Sequence, residues 1–218
     1  MLAGDHALKK IDQLIKVLDR EFPDPKVELH YSNPLELLIA TILSAQCTDE
    51  RVNKVTPHLF KKYKGAKDYA KADTAVLEQE IRSTGFYKNK TKNIIGCCRV
   101  LVEKYGGKIP DAMDELVELP GVWRKTAGVI LGNCFGLPAI VVDTHVRRVS
   151  QRLGLTRSDD PDEIEKDLGR LIPNKKWTRV SHQLLLHGRY VCKAKAPRCS
   201  ECELKPICGY YKQINGNG

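Results

Sequence analysis

Apolar side chains recur at helical spacing along almost the whole chain, and this periodicity restricts the fold more than any other feature. Leu8, Ile11, Leu14, Ile15 and Leu18 mark a first helix. Asn33 followed by Pro34 supplies an N-cap and a first helical residue for a run through Leu43. Asp49 opens a helix through Val52, Val55 and Leu59. Further helices are expected over residues 73–84, 91–105, 111–119, 126–135, 144–153, 161–172 and 177–190, with Gly85, Gly106, Gly107, Gly136 and Gly154 as stops. Residues 139–142, Ala-Ile-Val-Val, are the one strand-like run, and it is short. There is no fixed-period repeat, low-complexity segment, flexible linker or glycine-rich nucleotide loop. The expected fold class is all-α. Periodicity says nothing about activity.

Charge narrows the partners. The 218 residues carry a formal net charge of +9, which points to a polyanion, either nucleic acid or an anionic membrane surface. No apolar stretch approaches the ~18 residues of a membrane span. The N-terminus is charged every few residues and has no signal-peptide core. The expectation is an intracellular, cytoplasmic protein without a membrane partner.

The eight cysteines fall into two groups. Cys47, Cys97, Cys98 and Cys134 sit inside apolar helical patterns and read as small core residues. Cys192, Cys199, Cys202 and Cys208 crowd a segment with few apolar residues, where four thiolates suit a soft metal centre. A tetrahedral zinc and a cubane iron–sulfur cluster both accept four cysteines. Only Cys199 and Cys202 form a close pair, whereas zinc ribbons usually have two such knuckles. That tilts the choice towards a cluster and leaves it open. Lys193, Lys195, Arg198 and Lys205 are interleaved with these cysteines, as on a phosphate-contacting loop or on a merely solvated one.

Between two expected helices lies Leu119-Pro120-Gly121-Val122-Trp123-Arg124-Lys125-Thr126-Ala127. A tight turn with bare amides at a helix N-terminus can bind a phosphate, although most such segments are plain turns. Lys125 is either a solvated charge or, beside an anion site in a partly dry groove, a nucleophile. Asp143 is an N-cap for the helix from Thr144, a role compatible with acting on a substrate.

These segments, with Val142-Asp143-Thr144-His145, Leu43-Ser44-Ala45-Gln46-Cys47-Thr48-Asp49 and His187-Gly188-Arg189-Tyr190, resemble the helix-hairpin-helix DNA glycosylase family, in its endonuclease III branch. They occur in the family's order and cover nearly the whole chain. The resemblance implies two helical domains flanking a DNA groove. One is a six-helix barrel with the helix-hairpin-helix over residues 27–137. The other joins residues 1–26 to 138–218 and holds a [4Fe-4S] cluster on Cys192, Cys199, Cys202 and Cys208. It further implies a monomeric, nucleoid-associated enzyme on double-stranded DNA with a damaged base or an abasic site. Such an enzyme removes oxidised pyrimidines and cuts the strand by β-elimination. Lys125 is then the nucleophile and Asp143 the catalytic carboxylate. Gln46 fills the gap left by the flipped base, and Phe86 wedges the opposite strand. Gly121, Val122, Trp123, Arg124, Thr126, His145, Lys193, Lys195 and Arg198 are the further expected DNA contacts.

The chain departs from the family at two places. The hairpin usually reads Gly-Val-Gly and here reads Gly121-Val122-Trp123. Glycine lets a backbone approach a phosphate and take positive φ without strain. Trp123 therefore weakens the grip, alters base selection by stacking, or packs harmlessly. On the first reading Trp123→Gly tightens binding to abasic DNA. Thr84 and Phe86 stand where the family tends to carry aliphatic wedges, and Thr84 is the weaker wedge. Two rivals remain: the adenine-removing branch, which lacks a lysine nucleophile, and a non-catalytic or abasic-site-restricted DNA-binding module weakened by Trp123.

Overall fold

The computed structural model of the chain describes residues 2–216, with side chains from residue 8. Among these the regular structure is helical, with no strand. Two compact units form: Val27–Leu137, and Met1–Lys26 together with Pro138–Gly218.

Helix α1, Leu2–Glu21, belongs to the second unit. The first unit contains α2 (Pro34–Ser44), α3 (Asp49–Lys62), α4 (Ala66–Ala70), α5 (Thr74–Ile81), α6 (Tyr87–Tyr105), α7 (Met113–Val117) and α8 (Arg124–Cys134). Its core is aliphatic, with Leu37, Leu38, Leu59, Leu77, Ile94, Leu101 and Ile130 fully buried. Each such side chain is worth ~1.5–3 kcal/mol of burial. The Asn33 carboxamide accepts from the Glu36 amide at 3.0 Å, and Glu36 accepts from the Ser32 amide at 2.6 Å, so α2 starts where Asn33-Pro34 predicts. Cys97 and Cys98 are buried in this core, and burial pushes the Cys97 thiol up to about 12.

The second unit continues with α9 (Thr144–Leu153), α10 (Pro161–Leu171), α11 (Trp177–Tyr190) and α12 (Gly209–Asn215). Leu14, Leu18, Val146, Val149, Ile164, Leu168, Val180 and Leu184 form its core. Asp19 ties α1 to α11, accepting from Arg179 Nε at 2.7 Å and from Gln183 Nε2 at 3.0 Å. Burial works against this carboxylate, but the two hydrogen bonds outweigh it and hold Asp19 below its usual range. Lys10 Nζ closes the C-terminal end of α9, donating to the Leu153 carbonyl at 2.5 Å.

Several sequence expectations are corrected. Residues 139–142 form no strand, because no second strand lies beside them among the described residues. Side chains of α11 satisfy their backbone instead. The Ala139 amide donates to Thr178 Oγ1 at 3.1 Å, the Val141 amide donates to Ser181 Oγ at 2.9 Å, and Ser181 Oγ donates to the Val141 carbonyl at 3.0 Å. The helix expected over 73–84 ends at Ile81 and tightens into a 3-10 turn over Arg82–Thr84. Helix α6 starts four residues early, at Tyr87, through a first turn too polar to show an apolar face. Helices α4 and α12 are too short for periodicity to reveal.

Candidate active site and cysteine centre

The segment between α7 and α8 is pinned by two buried side chains, Leu119 and Val122, and the Val122 amide donates to the Leu119 carbonyl at 3.0 Å. Between them Gly121 takes φ +77°, and a Cβ there would stand 2.6 Å from Asn93 Cβ on α6. Both facts require glycine. Val122 faces the core. Trp123 has φ −103° and ψ 168°, a backbone any residue adopts. The tryptophan in place of the usual glycine therefore does not strain the hairpin. Trp123 is the N-cap of α8 and provides no side-chain hydrogen bond to its first amides. An α-helix leaves these donors without intrahelical acceptors, and they attract anions. Arg124 and Lys125 are exposed in the first turn of α8, and Thr126 is buried behind them.

Gln46 and Phe86 lie in the same unit, both exposed and both in the left-handed region, at φ 52° and 49°. Such backbones persist only where the surroundings hold them. Lys90 is the holder. It is buried, and its Nζ donates to the Leu43 carbonyl at 2.7 Å and to the Thr84 carbonyl at 2.8 Å. One ammonium thus ties the two turns that carry Gln46 and Phe86. Burial lowers the Lys90 pKa from its ordinary value. Thr84 is buried, its hydroxyl donating to the Ile81 carbonyl at 2.8 Å, so of the wedge pair only Phe86 reaches solvent.

In the other unit Asp143 caps α9. Its Oδ1 accepts from the His145 amide at 2.9 Å and from the Val146 amide at 2.8 Å. The carboxylate is half-buried. His145 Nδ1 lies 3.2 Å from an Arg148 guanidinium nitrogen. Arg148 also donates to the Gly188 carbonyl at 2.8 Å and the Cys192 carbonyl at 3.1 Å. Arg152, one turn further on, donates to Cys192 Sγ at 3.4 Å and to the Lys193 carbonyl at 2.7 Å. Sequence reasoning missed both arginines. Their four-residue spacing on one helix face was the available signal. Gly188 lets α11 meet α9 closely, since a Cβ there would stand 2.9 Å from His145 Cβ.

Cys192, Cys199, Cys202 and Cys208 line one cavity. Among the described residues no three His, Cys, Asp or Glu side chains converge closely enough for a single metal ion. His187 Nε2 lies 3.8 Å from Cys202 Sγ, and its Nδ1 lies 2.9 Å from Glu21 Oε2. Arg152 stacks on the Tyr210 ring, 4.6 Å from its centroid. Burial pushes the Cys202 thiol up to about 11, so metal binding there releases a proton. Lys193, Lys195 and Arg198 are exposed on the loop between the first two cysteines. No helix among the described residues is long and apolar enough to cross a membrane.

Comparison with known proteins places this arrangement. Residues 39–174 match the family model for the HhH-GPD superfamily base excision DNA repair protein. The chain is 50% identical to endonuclease III of Synechocystis sp. over 201 residues, covering 92% of each chain. It is also 50% identical to endonuclease III of Bacillus subtilis, again with 92% of each covered. Among solved structures it is similar to a trapped endonuclease III–DNA covalent intermediate in an estranged-adenine complex, with TM-score 0.91 and 48% identity, over 95% of this chain and 98% of that one. The chain belongs to the HhH-GPD superfamily of base excision DNA repair proteins, and within it to the endonuclease III family.

Proposed function

We propose that this chain is a bifunctional DNA glycosylase and abasic-site lyase that removes oxidised pyrimidines from duplex DNA. The observation that carries the reading is Lys125, an exposed amine in the first turn of α8, directly after the tight turn that requires Gly121. A similar protein has been trapped covalently on DNA, and covalent capture requires a nucleophile on the protein. Flipping exposes the glycosidic bond. The unprotonated Lys125 Nζ forms a bond to the sugar C1′ as the glycosidic bond breaks; the base leaves with the electrons of the glycosidic bond and takes up a proton, and the new C1′–nitrogen sheds one. Ring opening gives the lysine–sugar Schiff base. Loss of a C2′ proton then expels the 3′ phosphate by β-elimination. Asp143 supplies negative charge for the positive charge developing on the sugar. Gln46 and Phe86, on turns held by Lys90, meet the disturbed base stack. Gly121, Trp123, Arg124, Thr126, His145 and the main chain of Val122 complete the contacts.

Cys192, Cys199, Cys202 and Cys208 would hold a [4Fe-4S] cluster. The donor set supports it: four thiols line one cavity, and four cysteines are the ligand set that such a cluster takes. Bound there, the cluster would tie down the loop bearing Lys193, Lys195 and Arg198. Arg148 and Arg152 anchor the start of that loop from α9. Iron and acid-labile sulfide in equal amounts in the purified protein check this assignment. The place of such an enzyme is the nucleoid, acting as a single chain on duplex DNA.

Borohydride trapping on a duplex with one thymine glycol tests the chemistry. Wild type gives a covalent complex and Lys125→Ala gives none. No complex from cluster-loaded wild type, even on abasic DNA, would leave a non-catalytic DNA-binding module.

A further inference from the structure

Trp123 is the most exposed large apolar side chain among the described residues, at 78%. Nothing in the fold requires it there. The backbone at 123 suits any residue, and the indole contributes no helix-capping bond. Its surroundings are specific, however. Trp123 lines an open cavity together with Gln46, Phe86, Asn89 and Asn93. Two of the walls are aromatic and both are exposed, Phe86 at 61%. Three carboxamides, each with a donor and an acceptor, lie along the same cavity. All of these residues belong to the unit Val27–Leu137.

The chemistry selects the occupant. An exposed indole gains little from a phosphate or a hydrated cation. It gains most from a flat π-face, and a nucleobase presents one together with an edge that carboxamides can read. A base within an intact duplex already has both faces covered, so the cavity favours one released from its stack. The turn before α8 carries Trp123 itself, and Lys90 ties together the segments that lead to Gln46 and Phe86, which line the same cavity.

We propose that Trp123 is a specificity-determining residue that stacks on an unpaired nucleobase of the bound DNA, in the cavity it shares with Gln46 and Phe86. The inference rests on the DNA-repair reading above and deepens it. Trp123 selects for DNA in which a base has lost its stacking partner, and contributes little on intact duplex.

The test uses the full cluster-loaded chain, wild type and the variants Trp123→Ala and Trp123→Phe. The probes are an intact duplex and the same duplex with one uncleavable tetrahydrofuran abasic site. Trp123 is exposed, so neither variant threatens folding. Affinities are read by anisotropy of a label on the DNA. Trp123→Ala is expected to lose about 5- to 150-fold on the abasic duplex, the equivalent of ~1–3 kcal/mol per stacked base. Its loss on the intact duplex is several-fold smaller, and Trp123→Phe keeps most of the abasic affinity. Indole fluorescence gives a second readout. Abasic DNA quenches wild type more than Trp123→Phe, the difference being the signal of Trp123, since Trp177 is common to both. Equal abasic affinities of wild type and Trp123→Ala would overturn the proposal, as would tighter binding by Trp123→Ala or an equal loss on both duplexes. In those cases wild type still binds DNA and is still trapped by borohydride, so the DNA-repair reading stands. Failure of wild type to bind either duplex overturns both.

Discussion

Asparagine at position 143 separates two jobs assigned to one carboxylate. Asp143 Oδ1 accepts from two amides in the first turn of α9, at 2.9 and 2.8 Å. Removing an N-cap acceptor costs ~0.5–2 kcal/mol. The charge itself adds ~0.3–1 kcal/mol through the helix dipole. Asp143→Ala loses both and should fall by about 1–2 kcal/mol, the two figures overlapping because the cap bond includes part of the dipole effect. Asp143→Asn keeps an oxygen in the same place and loses only the charge, so it should stay within ~1 kcal/mol of wild type. Urea unfolding of the cluster-loaded protein measures both variants. Single-turnover base release and strand cleavage, run where all three proteins are fully folded, measure the chemistry. If the negative charge stabilises the sugar cation, both variants lose activity alike, by at least ~100-fold, although their stabilities differ. Asp143→Asn within about threefold of wild-type activity would refute the argument and leave Asp143 as a cap alone. Activity that follows stability through the series would refute it too, by tracing the loss to folding.

Two more predictions follow from the geometry. Gly121→Ala adds ~1–2 kcal/mol for the left-handed backbone and ~1–3 kcal/mol for overlap with Asn93, since the new Cβ would stand 2.6 Å from Asn93 Cβ. Denaturant unfolding within ~0.5 kcal/mol of wild type would show that the turn is not built this way. His182 is buried in α11, and burial lowers its pKa from the ordinary 6.5, with a hydrogen bond to the Pro25 backbone opposing. Above pH 6.5 the ring is neutral whether folded or unfolded. As pH falls below 6.5 the unfolded chain takes up the proton first, so stability declines until the lowered folded value is reached. His182→Gln should remove this slope from the wild-type-minus-variant difference in ΔG against pH, and an unchanged slope would contradict it.

The chain's local chemistry announces much of the site. Asn33-Pro34, the run from Thr144 and the run from Trp177 begin helices where periodicity and capping place them. The cysteine spacing and the hairpin likewise depend on neighbours along the chain. The functional residues that escaped notice act across long separations. Lys90 reaches Leu43, 47 residues away, and Arg148 reaches Cys192, 44 residues away. A lysine surrounded in sequence by polar residues reads as solvent-facing, and only the packing of α6 against the neighbouring turns turns it inward.

Sequence by itself therefore determined the fold class, the family and the chemical groups present: a lysine after a glycine turn, a carboxylate at a helix start, four clustered thiols. The fold class and these groups follow from local periodicity, capping and spacing, and the family from the resemblance of the motifs. The tertiary structure decided which groups are available. It buried Val122 and Thr84, left Lys125 exposed, and gave residues 139–142 the hydroxyls of α11 in place of a partner strand. It also settled the backbone at Trp123 and set the indole beside Gln46 and Phe86. The physical reason is that exposure and strain belong to the packed chain. A side chain's type limits what it can do, and the contacts made by distant segments determine whether it is free to do it.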